Sequence, residues 1–167
     1  MWQLILNKFR RFPAQEKVIR LILQRGFQVN DRSRVVSGEI EIPHAQIAKE
    51  LGVDRRVVDT TAGAIRSDEE LYKIFRNIRS MIFLGEVAPI LELGVIEITP
   101  NDAARHGILG NVASAVAKYG LSIRQAVSDD PYFVESPKLT IITEGKIPGD
   151  LVKVLMEVEG VKRVTVY

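Results

Sequence analysis

Cysteine is absent from this chain of 167 residues, and histidine occurs only twice. Without thiols the protein has neither disulfides nor thiolate metal sites, which fits a cytoplasmic protein. No run of about 18 apolar residues is present, so we expect no membrane-spanning helix. The first residues, MWQLILNKFRRF, lack the charged, then apolar, then small-residue order of a signal peptide.

Groups suited to catalysis are also scarce. His44 and His106 lie far apart in the sequence, and no nucleophile–base pair, phosphate-binding loop or paired metal-ligand spacing is present. The run Asp129, Asp130 and Pro131 favours a turn over a pair of catalytic carboxylates. We therefore predict a protein that is not an enzyme and that needs neither a metal nor a cofactor.

Charge is unevenly distributed along the chain. Residues 1–79 hold 15 basic and 10 acidic side chains, a net charge of +5, whereas residues 80–167 hold 8 and 11, a net charge of −3. This asymmetry indicates that the first half meets an anionic partner, or it is chance, since the excess is modest. Charge alone does not identify the partner as a nucleic acid.

The second half has the pattern of strand, helix, strand, strand, helix, strand, which is the ferredoxin-like order of an α+β fold. The predicted elements are Val95–Thr99, a helix between Gly107 and Gly120, Leu121–Val127, Lys138–Thr143, Asp150–Glu159 and Lys162–Tyr167. The alternation predicts that one face of the sheet meets the helices through Ile96, Ile98, Ile123, Val164 and Val166. The other face is mixed, with Glu97, Arg124, Thr140 and Thr165, and is either solvated or covered by a partner.

Gly107 precedes the first helix of this half. A helix that begins at a glycine leaves backbone N–H groups free at its positively charged end, where a carboxylate can bind. The alternative is that Gly107 only makes a turn. His106 has two interpretations as well, a contact to a ligand or a solvated loop residue.

The first half is predicted to be helical. Helices are expected at Trp2–Phe12, where Trp2, Ile5, Leu6 and Phe9 recur at helical spacing, and at Pro13–Arg25, with an apolar stripe of Val18, Leu21 and Ile22 and a stop at Gly26. Phe27–Ser37 has the polar pattern of a loop, and Glu39–Ile42 is expected to form a short strand. Ser67 and Glu70 form a capping box that predicts a further helix over Asp68–Arg79.

The segment Pro43–Arg66 resembles the helix-turn-helix of transcriptional regulators. Ala48, Gly52 and Val58 fall where that motif has a small residue, a turn residue and a core aliphatic. Asp54 is the predicted N-cap of the second helix, Arg55–Ile65, whose inner face holds Val58, Ala62 and Ile65. The residues predicted to face DNA are Arg55, Arg56, Asp59 and Thr60. The alternatives are a purely structural three-helix unit and arginines that are merely solvated.

The second half resembles an ACT domain, a regulatory module that commonly binds amino acids at a subunit interface. The resemblance rests on Arg105–Leu109, on the helix that follows, on Tyr119–Ile123 and on Glu159–Val164. The family usually has Pro-Gly at the helix start, where this chain has His106 and Gly107, so the identity of the effector stays open. The whole chain resembles archaeal ACT-containing predicted regulators of amino-acid metabolism.

This resemblance implies a dimeric regulator that binds double-stranded DNA and responds to a small-molecule effector. A sheet face without helices, an unpaired sheet edge and the apolar segment Ser80–Leu93 predict a homodimer or a larger even oligomer. The resemblance divides the chain into a helix-turn-helix domain at 1–79, a packed connector at 80–93 and an ACT domain at 94–167. The residues that it implies for the effector are Asn101, Asp102, Arg105, His106, Gly107, Ile108, Leu109 and Ser122. One rival is a regulatory subunit that acts by protein contact without DNA; the other is a small enzyme.

Overall fold

A computed structural model describes residues 2–132 and 134–167, with side chains from Ile5 onward. The chain divides into two compact units, with the boundary in the sequence between Ile82 and Phe83. The first unit is mostly helical and the second contains a larger sheet, so the fold is mixed α+β. Most of the segment predicted as a connector, from Phe83 to Leu93, belongs to the second unit. Among the helices of the described residues, none combines the length and the apolar character needed to cross a bilayer.

The first unit begins with helices α1 (Trp2–Phe9) and α2 (Pro13–Arg25). Pro13 opens α2, where its missing N–H costs nothing, and Gly26 ends it with a φ of 64°. Of the apolar residues at helical spacing in α1, Ile5 and Phe9 are buried and Leu6 is partly buried, while the side chain of Trp2 lies outside the described residues. The buried stripe of α2 is Val18, Ile19 and Ile22. Leu21, predicted in that stripe, is only partly buried against this core.

The prediction that Phe27–Ser37 forms a loop is wrong, because this segment contains two strands. Strands β1 (Gln28–Val29), β2 (Val35–Ser37) and β3 (Ile40–Glu41) form a small antiparallel sheet in the order β1-β2-β3. Val29 and Val35 are fully buried in the core of the unit. Burial of these few apolar side chains fixes strands that are too short to show an alternating pattern. The short strand expected in Glu39–Ile42 is confirmed as β3.

Helices α3 (His44–Leu51) and α4 (Arg55–Ser67) are joined by a tight turn. Gly52 has a φ of 63°, and Asp54 caps α4 by accepting a hydrogen bond from the N–H of Arg56 at 2.7 Å. Both features agree with the sequence prediction. The inner face of α4, formed by Val58, Ala62 and Ile65, is fully buried.

Helix α5 (Glu69–Phe75) ends four residues before the predicted Arg79. The predicted capping box of Ser67 and Glu70 is also wrong, because Ser67 is the last residue of α4. The N-cap of α5 is Asp68, whose side chain accepts hydrogen bonds from the N–H groups of Glu70 and Leu71. Lys8 donates to Asp68 at 2.6 Å. This hydrogen bond is the main reason why the pKa of Asp68 lies below its ordinary value, and it raises the pKa of Lys8.

The second unit contains β4 (Gly94–Pro100), α6 (Ile108–Lys118), β5 (Ile123–Ser128), β6 (Leu139–Thr143), α7 (Gly149–Met156) and β7 (Val161–Val166). The sheet order is β5-β6-β4-β7, and the paired strands are antiparallel. This is the predicted element order. Because β4 and β5 both run antiparallel to β6, they run parallel to each other, and their carboxyl ends lie at the same end of the sheet.

The two faces of this sheet are both partly covered. Ile96 and Ile98 pack with α6 and α7 on one face, together with the partly buried Val164. Ile123 and Val166, predicted on that face, lie on edge strands and remain 38% and 39% exposed. On the other face, a second small core contains Val95, Ile142 and Ala88, with Leu84 and Leu93 packed against it. The segment before β4, which includes a 3-10 turn at Pro89–Leu91, therefore covers apolar residues of the helix-free face.

Candidate functional site

The first candidate surface is the outer side of α4. Its core side is fixed by Val58, Ala62 and Ile65, so Arg55, Arg56 and Thr60 are exposed around the first two turns. Arg55 also approaches Asp59, with 3.5 Å between its Nε and the Oδ2 of Asp59. The start of α4 therefore presents two guanidinium groups and a hydroxyl to solvent, all of which can bond to bases or phosphates.

Asp59 has a partner inside the unit. Its Oδ1 lies 2.6 Å from Nδ1 of His44, whose side chain is only 2% exposed. The N–H of Val35 donates to Nε2 of the same ring at 3.2 Å. Nε2 therefore accepts while Nδ1 donates to Asp59, which fixes a neutral ring with its hydrogen on Nδ1. The hydrogen bond to His44 is the main cause that lowers the pKa of Asp59.

The second candidate site is the loop between β4 and α6. Gly107 has a φ of 89° and no side chain caps α6, so the first N–H groups of the helix are left open. A Cβ built on Gly107 would approach only the side-chain amide of Asn111, at 3.8 Å. The start of α6 is thus accessible, and binding of a carboxylate there stays a prediction. His106 and Leu109 are exposed beside it, and Ile108 is buried.

The rest of this loop is tied to the turn before β7. The N–H of Asn101 donates to the carbonyl of Gly160 at 2.8 Å, and Arg105 forms an ion pair with Glu159. A Cβ on Gly160 would lie 2.9 Å from Cδ of Arg105, so a glycine at this position gives the arginine side chain its path. Asp102 accepts from the N–H of Ala104 at 2.9 Å. Arg105 and Asp102, both predicted to contact the effector, thus have partners within the unit.

A cavity of about 180 Å³ lies against this loop. Gly107, Ile108 and Leu109 line it, as does Arg105, but so do Ser128 and Lys138, which the sequence reasoning missed. Nζ of Lys138 lies 2.7 Å from Oε2 of Glu97, and this hydrogen bond raises the pKa of Lys138. The cavity therefore joins the predicted loop to the neighbouring ends of β5 and β6.

Ser122 does not lie at this cavity. The adjacent Ile123 pairs with Thr143, which in turn pairs with Gly94 at the beginning of β4. Ser128 instead pairs with Leu139, which pairs with Ile98 near the end of β4. Ser122 is thus at the opposite end of the sheet from Gly107 within one chain. The sequence held one signal for Ser128. The predicted element order makes the first two strands of this half parallel, so the end of the second strand lies near the loop that follows the first.

No family model matches this sequence, and no curated protein matches it either. Two solved structures cover 92% of this chain, a crystal structure of PH0061 and a mutant of Rv3291c. Their sequence identities to this chain are 10% and 12%, and the alignments cover 88% and 89% of their own lengths. Both structures have a TM-score of 0.28. At that score the similarity carries no argument about the fold or the function of this chain.

Proposed function

We propose that this protein is a ligand-responsive transcriptional regulator of amino-acid metabolism, made of a helix-turn-helix unit and an ACT unit. The observation that carries the proposal is the exposed pair Arg55 and Arg56 at the start of α4, the second helix of a pair joined at Gly52. A helix that follows such a turn and exposes arginines at its first turn suits the major groove, where arginine binds guanine O6 and N7.

The second unit supplies the sensor in this proposal. The open start of α6 at Gly107 and the cavity of about 180 Å³ beside it provide a place for a small carboxylate ligand. That volume is well above the roughly 10–15 Å³ that a single water needs by the same measure and below the roughly 300–1,000 Å³ of pockets for drug-sized ligands, which suits a small ligand such as an amino acid. An effector that binds one arrangement of a dimer better than another would change the spacing of the two α4 helices and so the affinity for DNA.

The test compares the double variant Arg55→Ala/Arg56→Ala with the wild type on duplex DNA fragments. We expect a loss of about 1–3 kcal/mol for each bidentate contact to a base, with no change in melting temperature. The double variant Arg10→Ala/Arg11→Ala is the control, because it removes the same charge from the exposed junction between α1 and α2. Equal DNA affinity of the two variants would move the reading surface away from α4.

The effector is sought by thermal shift with the twenty amino acids. A ligand that binds only the folded state at 100 times its Kd stabilises that state by about 2.7 kcal/mol and raises the melting temperature.

A regulatory subunit without DNA binding is the second candidate, favoured by Val87, Ile90 and Leu91. These side chains before β4 are 42%, 80% and 58% exposed, and neighbouring apolar groups of this kind suit a protein interface. Binding to duplex DNA that weakens steeply with salt separates the two functions, because only the regulator would show it.

A further inference from the structure

The N-terminal unit has a second arginine-rich surface beyond the start of α4. A cleft of about 770 Å³ opens between the small sheet and α5, and we call it the α5 cleft. Arg76 and Arg79, at and after the end of α5, line it together with Tyr72 and with Arg32 of the turn between β1 and β2. All three arginines are exposed.

Contacts within the unit hold these guanidinium groups in place without neutralising them. Arg66, in the last turn of α4, lies over the ring of Tyr72 at 4.4 Å, and Arg76 lies 5.4 Å from the same ring. Nε of Arg66 donates to the carbonyl of Asp31 at 3.2 Å. Nη1 of Arg79 donates to the carbonyls of Arg76 and Ile78, which follow α5. Each of these contacts leaves other guanidinium N–H groups available to a ligand.

These four arginines also lack nearby carboxylates. Within the part of the chain that the structure describes, the arginines with a carboxylate oxygen within 4.0 Å are Arg20, Arg34, Arg55, Arg105 and Arg124. Arg32, Arg66, Arg76 and Arg79 are not among them. A bound anion would therefore give these guanidinium groups the close ion pair that the described residues do not supply.

Acidic side chains also line the α5 cleft and restrict what can bind. Asp31, Glu39 and Glu41 line it, and Glu41 lies 3.7 Å from Arg34. A compact anion at the centre of the cleft would meet these carboxylates as well as the arginines. Arg66 and Arg76 lie over the same ring of Tyr72, and Arg79 follows them along the chain. An extended polyanion on this side would therefore meet three guanidinium groups that have no carboxylate oxygen within 4.0 Å among the described residues.

The position of the α5 cleft relative to α4 identifies this polyanion. Arg66 is eleven residues after Arg55 on the same helix, which corresponds to about 16 Å along its axis. The major groove is about 12 Å wide, so a helix whose start lies in the groove has its last turn near the flanking phosphates. We propose that the α5 cleft binds the phosphate backbone of the duplex whose bases face the start of α4. This inference rests on the proposed DNA-binding function.

The test measures binding to a mixed-sequence duplex of about 30 base pairs, because phosphate contacts do not depend on sequence. Fluorescence anisotropy of the full chain is recorded between about 50 and 200 mM salt for the wild type, Arg76→Ala/Arg79→Ala and the charge-matched Arg10→Ala/Arg11→Ala. Each phosphate contact contributes about 0.9 to the slope of log K against log salt, so the cleft variant should lose about 1.8 of that slope. Over this fourfold range, the affinity of the wild type should fall about 12-fold more than that of the cleft variant.

Replacement of a carboxylate that lines the cleft should change duplex affinity in the other direction. This test does not depend on whether the arginine variant folds. Glu39→Gln removes an exposed carboxylate from the cleft and should tighten duplex binding at low salt. Weaker binding by Glu39→Gln, or equal slopes for the cleft variant and its control, would overturn this proposal while leaving α4 as the reading helix. Tighter binding of an RNA duplex of the same sequence would overturn the assignment to DNA. A wild type without salt-dependent duplex binding would instead overturn the proposed function itself.

Discussion

Removal of the Asp59 carboxylate should destabilise the first unit, although Asp59 lies on the side of α4 that was predicted to face DNA. His44 is buried, with its side chain 2% exposed, and its Nδ1–H donates to Asp59. In Asp59→Ala this buried donor loses its acceptor, which costs about 1–3 kcal/mol. The exposed pair with Arg55 adds at most about 0.5 kcal/mol. Alanine is the better helix former by about 0.6 kcal/mol, so we expect a net loss of about 0.4–2.9 kcal/mol.

The assay is urea unfolding at pH 7, followed by circular dichroism, with Thr60→Ala as the control. Thr60 is the next residue on α4 and is exposed, so its replacement should change the free energy of unfolding by less than about 0.5 kcal/mol. Asp59→Asn retains an acceptor for the Nδ1–H and should lose less than Asp59→Ala. Equal stability of Asp59→Ala and Thr60→Ala would show that no buried donor depends on the carboxylate, and the reasoning would be wrong.

The same hydrogen bond predicts a dependence of stability on pH. It holds the pKa of Asp59 below the ordinary value of 3.8, so the unfolded chain takes up this proton at a higher pH than the folded protein does. The stability that the ionised carboxylate contributes is therefore complete well above 3.8 and is lost as the pH falls through the folded pKa. Unfolding measured in acid should show a weaker dependence on pH for Asp59→Asn than for the wild type.

Three further predictions concern capping, the effector and assembly. Asp68→Ala should cost about 0.5–2 kcal/mol through the lost α5 cap, whereas Asp68→Asn, which retains the cap, should cost less in the same urea assay. Gly107→Ala and Gly120→Ala place a Cβ at positive φ at opposite ends of α6, where each should cost about 1–2 kcal/mol, but calorimetry with the identified effector should show weaker binding only for Gly107→Ala. Sedimentation at micromolar concentration should give a dimer or a larger even oligomer, and a monomer of 18.7 kDa would contradict this.

Local chemistry made several helix ends of this protein predictable from the sequence. Pro13 and Gly26 bound α2, while Gly52 and Asp54 separate α3 from α4, because each residue favours its position through its own backbone or side-chain geometry. The order of elements in the second unit was predictable from local signals as well, namely apolar periodicity and the glycines that bound the helices. Apolar residues repeated at helical or alternating spacing also predicted the inner faces of α4 and β4.

Contacts between distant residues decided what local patterns could not. The small sheet in Phe27–Ser37 depends on the burial of Val29 and Val35 in the core formed by the helices, because its strands are too short to show a period of their own. Asp68 replaced Ser67 as a cap because α4 extends through Ser67.

The contents of both candidate sites were likewise set by the tertiary structure. Ser128 lies at the cavity beside Gly107, and Ser122 does not, because strand direction and register determine which end of β5 meets the loop. The contact between His44 and Asp59 joins two helices across a turn and engages a side chain that sequence alone left facing DNA. Sequence spacing identifies the face of an element on which a residue lies, but only the packed structure determines its partner there, because that partner comes from a distant part of the chain.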